Sequence, residues 1–145
     1  MRESILMKLI VHTDGGARGN PGPAAVGVVI ESVLANEEKV TIKEFGRKIG
    51  ETTNNVAEYT AVIDALSAIK NISDDDLVIL FYLDSTLVVN QINGKFRVKE
   101  NHLRELLLEV HSLEQEVGGF ITYEYVPREQ NSRADYFVNL ALDTK

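Results

Sequence analysis

Two apolar runs, far apart in the chain, each end on an aspartate: Ile10-Val11-His12-Thr13-Asp14 and Leu80-Phe81-Tyr82-Leu83-Asp84. Short runs of this kind, rich in β-branched and aromatic residues, read as strands. A small residue follows each aspartate, Gly15 and Ser85. If the strands are parallel neighbours, both carboxylates emerge at the carboxyl edge of one sheet, where open α/β sheets bind ligands. A plainer use exists for each residue, since aspartate also opens turns and caps helices well.

The rest of the chain supplies a sheet of that type. Lys8–Thr13 reads as a strand that runs into a turn at Asp14-Gly15-Gly16. Gly19-Asn20-Pro21-Gly22-Pro23 is turn chemistry. Ala24–Glu31 and Val40–Ile49 read as two more strands. The period then changes: Tyr59, Val62, Ile63, Leu66 and Ile69 fall at helical spacing within Asn54–Lys70. Asp74-Asp75-Asp76 reads as a loop, and Leu77–Leu83 as a strand covered on both faces. Ser85–Ile92 and Leu103–Val117 read as helices, Phe120–Val126 as a strand and Asn131–Leu142 as a last helix. The order βββαβααβα predicts an α/β fold, a mixed five-stranded sheet with helices on both faces. One domain is expected over residues 7–145, with residues 1–6 as a loose tail.

Composition narrows the chemistry. With 44% apolar and 26% charged residues in 145, the chain is an ordinary globular one. It has no cysteine, which excludes disulfide scaffolds, thiolate metal sites and cysteine nucleophiles. No apolar run approaches the roughly 20 residues of a membrane span, and the N-terminus lacks a signal-peptide pattern, so the cytoplasm is the expected compartment. The net charge of −7 argues against a protein that coats nucleic acid, but not against an enzyme that acts on it.

Two further acids join the strand-end pair. Glu58 stands three residues after Asn55, in the form of a capping box, yet it lies beside the apolar stripe of its helix. From there it can look along the sheet toward a strand end. Asp135 stands three residues after Ser132, where an acid also suits the helix dipole. Four converging carboxylates repel one another unless hard cations join them. Oxygen-only ligands select magnesium or manganese over zinc. Two such ions about 4 Å apart clamp the attacking and leaving oxygens of a phosphoryl displacement. No GxxxxGK[ST] loop is present to support transfer from a nucleotide.

In their motif context these residues resemble type 1 ribonuclease H over nearly the whole chain, Leu9 to Leu142. Thr13-Asp14-Gly15-Gly16 with Gly19-Asn20-Pro21-Gly22-Pro23 matches that family's first motif. Thr52-Thr53-Asn54-Asn55-Val56-Ala57-Glu58 matches the second, and Leu83-Asp84-Ser85 with Leu87-Val88-Val89 the third. Val126-Pro127-Arg128-Glu129-Gln130-Asn131 with Ala134-Asp135 matches the fourth. The resemblance implies a two-metal endonuclease, using Mg2+ or Mn2+, that cuts the RNA strand of an RNA–DNA hybrid and leaves 3′-hydroxyl and 5′-phosphate ends. By position it implies that Asp14 bridges both ions and that Glu58 and Asp84 hold one. Asp135 would hold the ion that activates water. It also implies that the Gly15-Gly16 backbone approaches a 2′-hydroxyl, that Asn20, Asn54 and Asn55 contact the minor groove, and that Thr53 helps hold a DNA phosphate.

The sequence departs from that family at several points. Many members carry a histidine in the loop before the last aspartate. Here Pro127-Arg128-Glu129-Gln130-Asn131 has none, and Arg128 or Glu129 is the candidate substitute. His12, His102 and His111 read as structural or solvated. Glu51 stands where members often have a phosphate-gripping arginine. Lys95, Phe96, Arg97, Lys99 and Arg104 form only a short basic patch where some members have a basic, aromatic protrusion. In these respects the chain resembles the shorter archaeal and bacterial variants. It is expected to act as a monomer without a protein partner. Two alternatives remain open on sequence: a nuclease of the same fold acting on double-stranded RNA or DNA, and an inactive module that binds hybrids.

Overall fold

The computed structural model describes residues 7–72 and 77–144. The expected tail, residues 1–6, and the expected loop at Asp74-Asp75-Asp76 lie outside the described residues. The elements are β1 (Met7–Ala17), β2 (Gly22–Val33), β3 (Lys39–Thr52), α1 (Asn54–Lys70), β4 (Leu77–Leu83), α2 (Thr86–Ile92), α3 (Asn101–Val117), β5 (Phe120–Tyr125) and α4 (Ser132–Asp143). A single 3-10 turn, Arg128–Gln130, precedes α4. The sheet order is β3-β2-β1-β4-β5. β1, β2 and β3 form an antiparallel meander, while β4 is parallel to both β1 and β5. The expected mixed sheet, in the expected element order, is what forms.

The two faces of the sheet carry different helices. On one, Leu9 and Val11 of β1, Val28 and Ile30 of β2, and Ile79, Phe81 and Leu83 of β4 pack with Tyr59, Val62, Leu66 and Ile69 of α1. α3 closes this layer through Val110, Leu113 and Val117. On the other face α4 lies across β1, β2 and β3. It comes so close that a Cβ at Gly27 would collide with the Ala134 carbonyl, and one at Gly46 with the Phe137 carbonyl. Glycine is the residue that admits such backbone approach.

α4 packs mainly on β1, β2 and β3 and leaves β4 largely uncovered on that face, and this corrects one expectation. Leu77, Ile79, Phe81 and Leu83 are fully buried, whereas Val78, Leu80 and Tyr82 are only partly covered. The strands covered on both faces are β1 and β2, which sit between α1 and α4. Among the described residues no helix is long and apolar enough to cross a membrane.

A second correction shapes the site. Asp14-Gly15-Gly16 is not a turn: β1 continues through it to Ala17, paired with β2 out to Ala17↔Ala24. Pairing with β4 stops at His12↔Tyr82. The last residues of β1 therefore have a neighbour strand on one side only. This leaves a notch at the carboxyl end of β4 where side chains from both faces of the sheet can meet.

Candidate active site

Asp14 projects from β1 into that notch, and Asp84 follows directly after β4. Glu58 enters from α1 on the other face. It is the only charged residue among the nine buried ones of that helix. The capping-box expectation for Glu58 does not hold. Thr53 is the N-cap, its Oγ1 accepting from the Val56 amide at 3.3 Å, and Asn55 lies inside the first turn. Glu58 is therefore free of capping duty. It can reach β1 because Gly15 has no side chain, for a Cβ there would collide with the Ala57 carbonyl. Nor does either strand-end aspartate serve as a cap. Ser85 caps α2, its Oγ accepting from the Val88 amide at 3.2 Å.

Carboxylate oxygens of Asp14, Glu58 and Asp84 lie within 4.8 Å of one another. Asp135, in the first turn of α4, stands within side-chain hydrogen-bonding reach of Asp14 and lines the same cleft of about 480 Å3. Gly15, Gly16, Asn54 and Arg128 line it too, with Arg18 and Asn139. Asn20 lies just behind that wall: its Oδ1 accepts from the Asn54 amide at 2.9 Å, and Asn54 Oδ1 accepts from the Ala17 amide at 2.8 Å. Thr53 and Asn55 flank Asn54 at the start of α1. Lys95 and Lys99 are exposed but do not line the cleft, so the structure does not bring them to the carboxylates.

Electrostatics mark this cluster as incomplete without positive charge. Burial, then the charges of Asp84 and Asp135, push the Asp14 carboxyl up to about 8. Burial, then Asp14 and Asp84, raise Glu58 well above the usual carboxylate range. One oxygen of Glu58, Oε2, is buried and bonded to nothing. A buried carboxylate oxygen without a partner, beside two more carboxylates, is costly on its own and fits a hard divalent cation. The residues present thus fit the metal ions that the sequence implied.

A prediction follows for the metal-free protein. Folded Asp14 and Glu58 hold protons that their unfolded counterparts release near pH 4. The folded state binds more protons across that interval, so stability falls as pH rises from about 4 to about 8. Thermal melts in chelator should show this decline, and saturating magnesium should remove it.

Two residues in the site carried no role in the sequence. Asn131 is 1% exposed and stands at the N-cap of α4, but its side chain does not cap. Its Nδ2 donates to the Thr13 carbonyl at 2.8 Å and lies 3.4 Å from Asp84 Oδ2, while Oδ1 faces His12 Nδ1 at 3.0 Å. No local pattern marks contacts across more than a hundred residues. Asn139 donates from Nδ2 to Asp135 Oδ2 at 3.3 Å and accepts from Arg18 at 3.3 Å. Its signal was available, since residues four apart on a helix are neighbours.

The structure superposes on LC11-RNase H1, isolated from compost, with a TM-score of 0.84 and 43% identity, covering 94% of this chain and 96% of that one. A family model described as reverse transcriptase-like matches residues 12–141. The chain belongs to the type 1 ribonuclease H family. RNase H1 of the archaeon Halobacterium salinarum is similar in structure, with a TM-score of 0.83, 38% identity and coverage of 94% of this chain and 98% of that one. A bifunctional protein of Mycobacterium tuberculosis is 37% identical over 137 residues, 94% of this chain. The chain spans 36% of the length of that mycobacterial relative. All four motifs of the ribonuclease H resemblance fall on elements that face the cleft or its rim.

Proposed function

We propose that this chain is a divalent-metal-dependent endonuclease that hydrolyses the RNA strand of RNA–DNA hybrids. The observation that carries this reading is the trio Asp14, Glu58 and Asp84, gathered within 4.8 Å on the floor of an open cleft. LC11-RNase H1, similar along nearly its whole length, has been crystallised in complex with an RNA/DNA hybrid. Asp14, Glu58, Asp84 and Asp135 would hold two ions, Mg2+ or Mn2+. When bound, such ions supply an activated water and offset the charge that builds on the phosphate and the leaving oxygen. The products carry 3′-hydroxyl and 5′-phosphate ends.

The chain's own groups supply selectivity. Gly15 and Gly16 leave the wall of the cleft without side chains, so its backbone can approach a 2′-hydroxyl, the group that separates RNA from DNA. Asn20 and Asn54 spend their carbonyl oxygens on the fold. What they offer outward are amide donors, and the minor groove offers mainly acceptors. Asn55 extends the same row. Thr53 keeps its hydroxyl hydrogen for a DNA phosphate at the start of α1, beside backbone amides that favour an anion. Arg128, which lines the cleft with Asn54, adds positive charge there.

Labelled RNA–DNA, RNA–RNA and DNA–DNA duplexes, each with magnesium, manganese or chelator, test the proposal. Cleavage confined to the RNA strand of the hybrid, and lost when ribonucleotides around the cut are replaced by deoxyribonucleotides, is the expected result. Equal cutting of RNA–RNA would favour the broader nuclease, and tight hybrid binding without cutting the inactive module.

Lys95 and Lys99, outside the cleft, are assigned to the substrate backbone beyond the scissile bond. The Lys95→Ala, Lys99→Ala double variant should raise KM, leave kcat nearly unchanged, and reduce the salt slope of binding by about one per contact removed. Unchanged KM and slope would return these lysines to the role of solvated charges.

A further inference from the structure

We infer that His12 is a positioning residue for the carboxylate site, acting through Asn131; the inference rests on the metal-dependent function proposed above. His12 lies on β1 in register with Tyr82 of β4, and its ring packs on the tyrosine with centroids 5.2 Å apart. Among the described residues it makes no hydrogen bond to any of the four carboxylates.

The argument starts at the Thr13 carbonyl, which can only accept. The side-chain atom 2.8 Å from it must therefore be the amide nitrogen of Asn131. That orients the whole amide. The same nitrogen is then aimed at Asp84 Oδ2, and the amide oxygen is aimed at His12 Nδ1, 3.0 Å away. Nδ1 must carry a hydrogen to satisfy that oxygen, and it does so whether the ring is neutral or charged. Because Asn131 is 1% exposed, water does not replace the histidine as donor.

Without the imidazole N–H, the Asn131 oxygen is buried and unsatisfied, and the amide gains by turning away from its present orientation. Two consequences follow in the site. Asp84 loses the donor that lies 3.4 Å from its Oδ2. The start of α4, which carries Asp135 four residues on, loses one of its two anchors to β1. Groups that orient metal-binding carboxylates typically change metal affinity or activity by 10–100-fold when removed.

His12→Phe keeps the ring against Tyr82 and removes the donor, and His12→Gln restores a side-chain N–H. Expected for His12→Phe are a kcat about tenfold below wild type, a KM within about twofold, and magnesium binding about tenfold weaker by calorimetry, with His12→Gln recovering part of each. Nitrogen NMR of the metal-free wild-type protein reads the contact directly and needs neither substrate nor a folded variant. The imidazole hydrogen should sit on Nδ1, and the Asn131 amide protons should exchange more slowly than those of Asn20 and Asn54. A hydrogen found on Nε2 alone overturns the inference, as does a folded His12→Phe protein with wild-type kcat and magnesium affinity. Wild-type protein that fails to cut hybrids, with the NMR result as expected, would count against the proposed function and leave the His12–Asn131 contact standing.

Discussion

Asp14→Asn should abolish hybrid cleavage while raising the melting temperature of the metal-free protein. The two effects share one cause. Asp14 is 4% exposed, and burial together with the charges of Asp84 and Asp135 drives its carboxyl toward the protonated state. Asparagine is nearly isosteric and carries no charge, so the folded state no longer bears the cost of that acid. The gain should be largest at pH 8 and above and should vanish near pH 4, where the unfolded carboxylate is also protonated. Activity should fall by far more than about 100-fold, the upper range for groups that merely support metal ligands. Melts in chelator at several pH values, paired with a gel assay in magnesium, read both. Activity close to wild type would remove Asp14 from the metal site. A lower metal-free melting temperature at pH 8 would contradict the account of its electrostatics.

Gly27→Ala should damage the carboxylate site from a position that contains no chemistry. Gly27 pairs with Asp14 across β1 and β2, and α4 lies directly on it. A methyl group there meets the Ala134 carbonyl, a backbone atom that cannot swing aside as a side chain would. Overpacking costs about 1–3 kcal/mol, and a rigid backbone neighbour puts this site at the upper end. The helix must lift, and Asp135 is the next residue along it. A displacement of about 1 Å in a catalytic group can cost 100-fold in rate. The expected variant is folded, less stable, and lower in kcat by about that factor. Magnesium should bind it more weakly, while hybrid binding measured in chelator changes little. Wild-type kcat in a Gly27→Ala protein would show that α4 does not set the position of Asp135.

Much of the architecture is local and was legible for that reason. Helix α1 and strand β4 form over the residues that periodicity assigned, Asn54–Lys70 and Leu77–Leu83. Their apolar spacing is a property of a few adjacent residues, and packing agrees with it. The errors lie where tertiary contact outweighs a local preference. Glycine after aspartate usually turns a chain, but here β2 supplies hydrogen-bonding partners out to Ala17, so the strand continues. Asn55 and Glu58 have capping-box spacing, but Thr53 caps the helix and burial takes Glu58 inward. β4 is apolar throughout, yet only alternate residues are fully buried, because α4 packs mainly over the meander.

The identities of the four acids came from the sequence, as did the placement of Asp84 directly after a strand and of Asp135 in a first helical turn, since motif and element are both read along the chain. Their convergence did not. It depends on β1 overshooting β4, on Gly15 admitting α1 from one face, and on Gly27 and Gly46 admitting α4 from the other. The same holds for Asn131 and His12, 119 residues apart in the chain and 3.0 Å apart in space. Residue type and periodicity determine what a segment can form and what chemistry it can carry. Only close packing of distant backbones, a property of pairs of segments and not of either one, decides which of those groups meet.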